Sequence, residues 1–500
     1  MTKTDSAGAF SQPPEAVDAT VGRSADSNTR RTEVILMNSR QDLPRMVTPP
    51  IPRLKAGQGL RGLDPETLER IARHPLQRAN IARINELLGW FDSCVSPEDL
   101  YEFQRHLYES VFEIETRRGA CSRAVKRLRQ GQSVQAEVPD LPEGSDATAP
   151  ATWEFEVFMC ERLARQLRCV GDGLAWKAFR YDRRFLMVLS RNDLPGPMVN
   201  KEGLSYECGV VDELWRTKKH FGLLNDLTTC IRITDITEFT SDGRRALLYE
   251  VKKARKIPAA QKARAQAAVS AIMEGGVLPG AAADTRLVVL STRFRADMGP
   301  LRDAIALART RGVQGITLPE GRILFVASLL GSAAHARDTP EQVTDLFSRA
   351  KQAAIRRAKI DHATHHLVGN SGDTVARSPL VAPLSIFPLD PADRAELICD
   401  LLTFETTLSV DVLAEMLNSR GLRAQVLFPN RDQQVPHDAD VLRVQLGNRG
   451  MTIHAPAMNS LMFELLRPSA WCDALAESLS LDEPPTHPEV VLRDEASTWR

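Results

Sequence analysis

The chain has 500 residues, too many for one ordinary hydrophobic core, so two or three domains are expected. Its 64 Lys+Arg residues are balanced by 64 Asp+Glu, which excludes a globally basic polyanion-coating protein and confines any nucleic-acid surface to a local patch. The eight cysteines are scattered, with no CxxC and no zinc-like spacing, and read as reduced core thiols. The N-terminus has no apolar h-region and no apolar run reaches the ~18–20 residues of a membrane span, so the expectation is a cytoplasmic protein without membrane contact.

Residues 1–61 read as a disordered or extended arm: Ser, Ala, Thr and Asp dominate the first thirty, and Pro and Gly punctuate the rest. Helical periodicity starts at Asp64-Pro65-Glu66, an N-cap followed by a proline suited to the first helical position. Apolar residues then recur at helical spacing through 62–134, with the last helix running from about 96 to 129, which predicts an α-helical module. A linker composition follows at 135–152. Residues 152–335 read as mixed α/β. Helices are expected at 153–167, 258–273 and 300–311, and strands at 185–190, 229–239, 246–252, 287–290 and 323–327. A helix over 340–358 and a polar connection fill 336–380. The remainder, 381–500, resembles a small α/β or winged-helix-like domain, with helices near 391–403 and 409–420 and strands near 424–428 and 441–446.

The most informative stretch is CIRITDITEFTSDGRRALLYEVKKAR, residues 230–255. Asp242-Gly243 between two strand-like runs predicts a two-residue hairpin turn, because such turns need positive φ at both central positions. Counting outward from that turn pairs Ser241 with Arg244 and, at the far end, Asp235 with Glu250. Alternation then puts Ile231, Ile233, Asp235, Thr237 and Phe239 on one face with Ala246, Leu248, Glu250 and Lys252. Two carboxylates crowded on an apolar face repel unless compensated, and Mg²⁺ (or Mn²⁺) would compensate them, with its remaining positions taken by waters and phosphate oxygens. Such a cation would polarise a phosphodiester and lower the pKa of a water, while Lys252 would act on that water or on the developing charge.

Asp235 followed by Glu250-Val251-Lys252 resembles the D…ExK signature of the PD-(D/E)xK nuclease superfamily, and its surroundings look like those of Holliday-junction resolvases and Mrr-type restriction enzymes. The resemblance covers 100 to 180 residues of the chain. It implies a restriction-endonuclease-like mixed sheet flanked by helices, and metal-dependent hydrolysis of DNA in a restriction or phage-defence setting. The implied partners are DNA and a second copy of the chain or another defence protein. It also implies a further glutamate from the preceding helix. Glu154, Glu156 and Glu161 are available there, and Glu156 after Phe155 fits best. On the helix after the motif, Gln261, Lys262, Arg264 and Gln266 are candidates for phosphate or water contacts, joined by the basic residues Lys253, Arg255 and Lys256.

An insert of roughly 60 residues before the hairpin departs from a minimal family core and introduces Asp226 as a rival metal aspartate. The insert also brings the basic runs Arg180, Arg183, Arg184, Arg191 and Arg216, Lys218, Lys219, which read as solvated faces or as the rim of a phosphate-binding cleft. In DHATHH, His362 and His366 would share a helical face beside His365, a metal-ligand spacing that lacks the HExxH glutamate. No P-loop and no GxSxG elbow is present. Two other readings remain: an RNA-directed nuclease, and a non-catalytic member of the fold that binds nucleic acid or protein.

Overall fold

Helix formation begins where the sequence places its caps. Helices α1 (Pro65–Arg73), α2 (Pro75–Ser93) and α3 (Pro97–Arg129) each start on a proline. The Ser96 side chain accepts from the Asp99 amide while the Asp99 carboxylate accepts from that of Ser96, a reciprocal cap that satisfies two orphan donors. These helices and those below belong to a computed structural model. It describes residues 20–22, 65–134, 141–142, 145–190, 196–199, 201, 203–241, 245–251, 259–274, 277–278, 285–293, 295–329, 340–357, 365–373, 381–427, 439–481 and 487–493.

Helix α4 (Pro150–Ala178) packs along α3 and is longer than its expected 153–167, because Leu174, Ala175 and Trp176 carry the buried stripe onward. The expected strand at 185–190 is instead helix α5 (Arg183–Leu189), opened by the Asp182 side chain on the Arg184 amide. Short apolar runs such as FLMVL fit a buried helix as well as a strand. Helix α6 (Leu204–Lys218) then leads into the first sheet.

That sheet is antiparallel in the order β1-β4-β3-β2, from β1 (Thr20–Gly22), β2 (Phe221–Leu224), β3 (Ile236–Phe239) and β4 (Arg245–Tyr249). Part of the arm expected to lack structure therefore forms an edge strand, Thr20 pairing with Leu247. The rest of 1–61 lies outside the described residues. Gly222 lets α6 approach β2 closely, since a Cβ there would press on Leu214 and Val211.

Helix α7 (Ala259–Glu274) buries Ala265, Ala268 and Ala271 and packs against α5 and β1. Next come β5 (Thr285–Arg293), α8 (Met298–Arg311), β6 (Val313–Leu318), β7 (Arg322–Ser328) and α9 (Pro340–Arg357). The chain continues through β8 (His366–Asn370), α10 (Pro391–Ile398), β9 (Leu402–Ser409), α11 (Val410–Asn418) and β10 (Arg423–Val426). It ends with β11 (Asp440–Leu446), β12 (Arg449–His454), α12 (Asn459–Phe463), α13 (Pro468–Leu479) and β13 (His487–Arg493).

The expected division at 335–381 does not separate two sheets. Strands β6 and β7 share one antiparallel sheet with β9 and β8, in the order β6-β7-β9-β8, and β5 pairs in parallel with β13. One contiguous apolar core includes Leu88 of α2, Trp176 of α4, Leu248 of β4, Leu402 of β9 and Trp471 of α13. Ion pairs also cross the expected boundaries: the buried pairs Arg162 with Asp400 and Arg183 with Glu464 at 2.6 Å, and buried Arg394 with exposed Asp92. The result is a mixed helix-and-sheet molecule with small sheets that are antiparallel apart from the β5–β13 pair. Among the described residues no helix is long and apolar enough to cross a membrane.

Candidate active site

The hairpin ladder has the register expected from the sequence: Phe239 pairs with Ala246, Thr237 with Leu248 and Ile236 with Tyr249. The turn residues Asp242 and Gly243 lie outside the described residues. The ladder ends one pair short of Asp235 and Glu250. Thr234 adopts a left-handed φ of 69°, which breaks the extended run and limits the expected 229–239 strand to its last four residues. Ile231 and Ile233 are buried but lie outside the strand.

Asp235 nevertheless reaches the ExK segment by another route. Its amide donates to the Tyr249 carbonyl at 3.0 Å, and its Oδ2 accepts from the Val251 amide at 2.8 Å. The carboxylate is thereby fixed beside the Glu250–Val251 backbone, with Glu250 only 7% exposed. Lys252, Lys253, Arg255 and Lys256 lie outside the described residues.

The turn before the hairpin brings in Asp226. Residues Asn225–Leu227 form a 3₁₀ turn, tied down on several sides. The Asn225 amide donates to the Asp235 carbonyl at 3.0 Å, and its side-chain Nδ2 donates to the Thr234 carbonyl at 3.1 Å. Arg168 Nε donates to the Asp226 carbonyl at 3.0 Å. On α4, a Gly-Asp-Gly run supports the whole loop. A Cβ at Gly171 would run into the Leu227 carbonyl, and one at Gly173 would press on Ser385. Between them Asp172 accepts from the Thr229 amide at 2.6 Å, from Thr229 Oγ1 at 2.6 Å and from the Cys230 amide at 3.0 Å.

Three carboxylates converge on one ammonium. Lys201 Nζ lies 2.8 Å from Glu207 Oε1, 2.8 Å from Asp226 Oδ2 and 3.1 Å from Asp235 Oδ1. The lysine is delivered by a segment that Glu115 and Arg168 hold. Glu115 Oε2 accepts from the Met198 and Val199 amides, and its Oε1 pairs with Arg168 Nη2 at 2.7 Å. Burial works against the Lys201 charge, but the carboxylates of Asp226, Glu207 and Asp235 outweigh it and hold the ammonium above its ordinary pKa. Burial pushes Glu207 up to about 6; Lys201 partly offsets that, and the Asp235 and Asp226 charges add to it.

The other face of the hairpin carries a separate charge cluster. Buried Glu238 accepts from the Tyr249 hydroxyl and from Lys218 Nζ at 3.3 Å, and His220 Nδ1 lies 2.5 Å from it.

Several expected site residues lie elsewhere. Glu156 points into the helical packing, where Oε1 is 2.7 Å from His74 Nε2 and Oε2 is 2.9 Å from Arg117 Nη2. Glu154 and Glu161 pair with Arg129 and Arg118. On α7, Lys262 and Gln266 are exposed one turn apart, while Gln261 is half-buried. The basic runs of the insert are mostly occupied: Arg183 is buried on Glu464, Arg184 pairs with Asp182, and Arg216 with Glu213. His365 contacts Asp411, and His362 and Arg191 lie outside the described residues. All eight cysteines are free, and seven are buried.

Sequence reasoning missed Lys201, Glu207 and the Gly171-Asp172-Gly173 run. The last leaves a legible trace: two glycines around an aspartate, between the apolar runs Cys169-Val170 and Leu174-Ala175-Trp176 of one helix, mark a close backbone approach. Lys201 and Glu207 leave none, because they reach the hairpin only through tertiary packing.

The donors suit a hard cation, since Asp226, Asp235 and Glu207 offer carboxylate oxygens from three elements. They close on an ammonium, however, and among the described residues no three His, Cys, Asp or Glu side chains are already set to hold a metal ion. No family model, curated protein or solved structure matches the chain.

Proposed function

We propose that the chain is a divalent-metal-dependent nuclease of the PD-(D/E)xK type that hydrolyses DNA phosphodiester bonds. One observation supports the reading: the Asp235 carboxylate sits on the Val251 amide, so the aspartate and Glu250-Val251 adjoin across a hairpin ladder of the expected register. Asp235 and Glu250 would hold Mg²⁺ or Mn²⁺, with Asp226 beside them. The bound cation would supply Lewis acidity toward a phosphodiester oxygen and a lowered water pKa. Lys252, two residues beyond Glu250, would orient or deprotonate the attacking water or balance charge on the phosphorane. Glu156 is dropped from the catalytic set, because both its oxygens are engaged by His74 and Arg117. Lys253, Arg255, Lys256, Lys262 and Gln266 are the candidates for DNA contact, with Gln261 closer to the buried side of α7. A restriction or phage-defence role belongs to the family resemblance.

A second reading, a non-catalytic member of the fold, is favoured by Lys201, which already neutralises part of the carboxylate cluster. Cleavage of plasmid, single-stranded DNA and RNA with Mg²⁺ or Mn²⁺, compared with EDTA and with Lys252→Ala, separates the two. The nuclease reading expects metal-dependent product that Lys252→Ala abolishes, with the preferred substrate telling DNA from RNA. No product on any substrate, together with no metal-dependent thermal shift, defeats it.

A further inference from the structure

We propose that Cys121 and Cys160 are an oxidation-sensitive pair that closes into a disulfide, clamping α3 to α4, when the chain meets a peroxide. The inference is independent of the nuclease reading.

Two observations bring the thiols together. First, the two helices run antiparallel in one register. Arg129 of α3 pairs with Glu154 of α4, Arg118 with Glu161, and Glu115 with Arg168. Cys121 lies between Arg118 and Arg129, and Cys160 between Glu154 and Glu161, so the same register sets Cys121 against Cys160. Ala120 and Ala124 beside Cys121, and Ala164 one turn beyond Cys160, are buried small residues that keep the helix axes close. Second, the thiols are in contact, because the Cys160 thiol donates a hydrogen bond to the Cys121 sulfur. Both residues are fully buried, which confines the two sulfurs to the seam between the helices. Cys94, by contrast, donates to the carbonyls of Trp90 and Asp99.

The surroundings favour Cys121 as the attacking sulfur. The hydrogen bond from Cys160 holds its thiol below the ordinary value against burial, and the Arg117 guanidinium one turn away adds to this, opposed by Glu156. The Arg117 side chain is 19% exposed and gives a small polar oxidant a route toward the pair. The Cys121 thiolate attacks one oxygen of hydrogen peroxide and breaks the O–O bond. That gives a sulfenic acid and hydroxide, which takes up the thiol proton as water. The Cys160 sulfur then attacks the sulfenic sulfur, the S–O bond breaks, and the hydroxyl leaves with the Cys160 proton as a second water. Two thiols thus give up two electrons and two protons, and one peroxide becomes two waters. The new bond closes the connection between the helices into a covalent loop and so restricts the unfolded chain.

The test is peptide mapping of the reduced full-length chain after hydrogen peroxide, with the remaining thiols alkylated in urea. Trypsin leaves Cys121 in the peptide 119–123 and Cys160 in the peptide 130–162, each with a single cysteine. The two peptides should be recovered linked and should separate in dithiothreitol. The oxidised chain should melt roughly 2–5 °C higher than the reduced chain. In Cys160→Ser, Cys121 should instead accumulate as a sulfenic acid that dimedone traps, and the rise in melting temperature should vanish.

Recovery of both peptides separately alkylated overturns the inference, as does a bond from either cysteine to a different one. An oxidised chain that melts no higher than the reduced one overturns the clamp. The mapping uses the wild type alone, so it decides the matter even where Cys160→Ser does not fold.

Discussion

Two buried glutamates, Glu156 on α4 and Glu207 on α6, show how differently this molecule treats negative charge. At Glu156 the account is closed: one oxygen faces His74, the other Arg117. Burial pushes its carboxyl up, but those two hydrogen bonds outweigh the burial and leave it below the usual glutamate range. At Glu207 one ammonium is divided among three carboxylates, and burial leaves the group pushed up to about 6. A matched buried charge is a packing element. An unmatched one is costly and persists where a ligand can complete it. That contrast separates a closed pair within the helical packing from a shared charge cluster beside the hairpin.

Glu156→Ala leaves Arg117 and His74 without their buried partner and should cost about 3–5 kcal/mol in urea unfolding. Its Mn²⁺ affinity should stay that of the wild type, and a weakened affinity would return Glu156 to the metal site. Gly171→Ala acts on the other region. The new methyl meets the Leu227 carbonyl, so the Asp226 turn must shift at a cost of about 1–3 kcal/mol, and Mn²⁺ affinity should fall with it. Unchanged affinity would detach that turn from the site.

The smallest effect is a pH slope. Glu207 is held at about 6 in the folded chain, above its ordinary value of 4.5. Below pH ~4.5 it is protonated in both states and costs nothing. As pH rises through about 6 its ionisation removes up to about 2 kcal/mol of stability. Glu207→Gln should therefore gain on the wild type between pH 4.5 and 7 in urea midpoints. Parallel pH profiles would show that Glu207 is as well matched as Glu156.

The sequence made the hairpin legible because Asp242-Gly243 encodes local geometry, and the pairs from Phe239–Ala246 to Ile236–Tyr249 follow from it. It did not reveal that the strand stops at Thr234, since Ile231 and Ile233 keep a β-like alternation while the Ile231 amide donates to Thr228 Oγ1 and the Ile233 carbonyl accepts from Asn225 Nδ2 in a loop. Nor did it reveal the α5 helix, because a short apolar run has no period of its own. The sheet shared by β6, β7, β8 and β9 is a long-range pairing with no local mark, which is why a boundary was expected where none divides the sheet. Lys201 is the sharpest case. A lone lysine in MVNKEG looks like any solvated residue until three carboxylates close on it.

The central claim is that Asp235 belongs to a metal-dependent phosphodiesterase centre. Its most direct test is conversion of supercoiled plasmid by the wild type and Asp235→Asn in Mg²⁺, at matched folded fractions. The wild type should give nicked or linear product in Mg²⁺ and none in EDTA, and Asp235→Asn should lose about 10²–10³ or more in rate. Equal conversion by both proteins would contradict it.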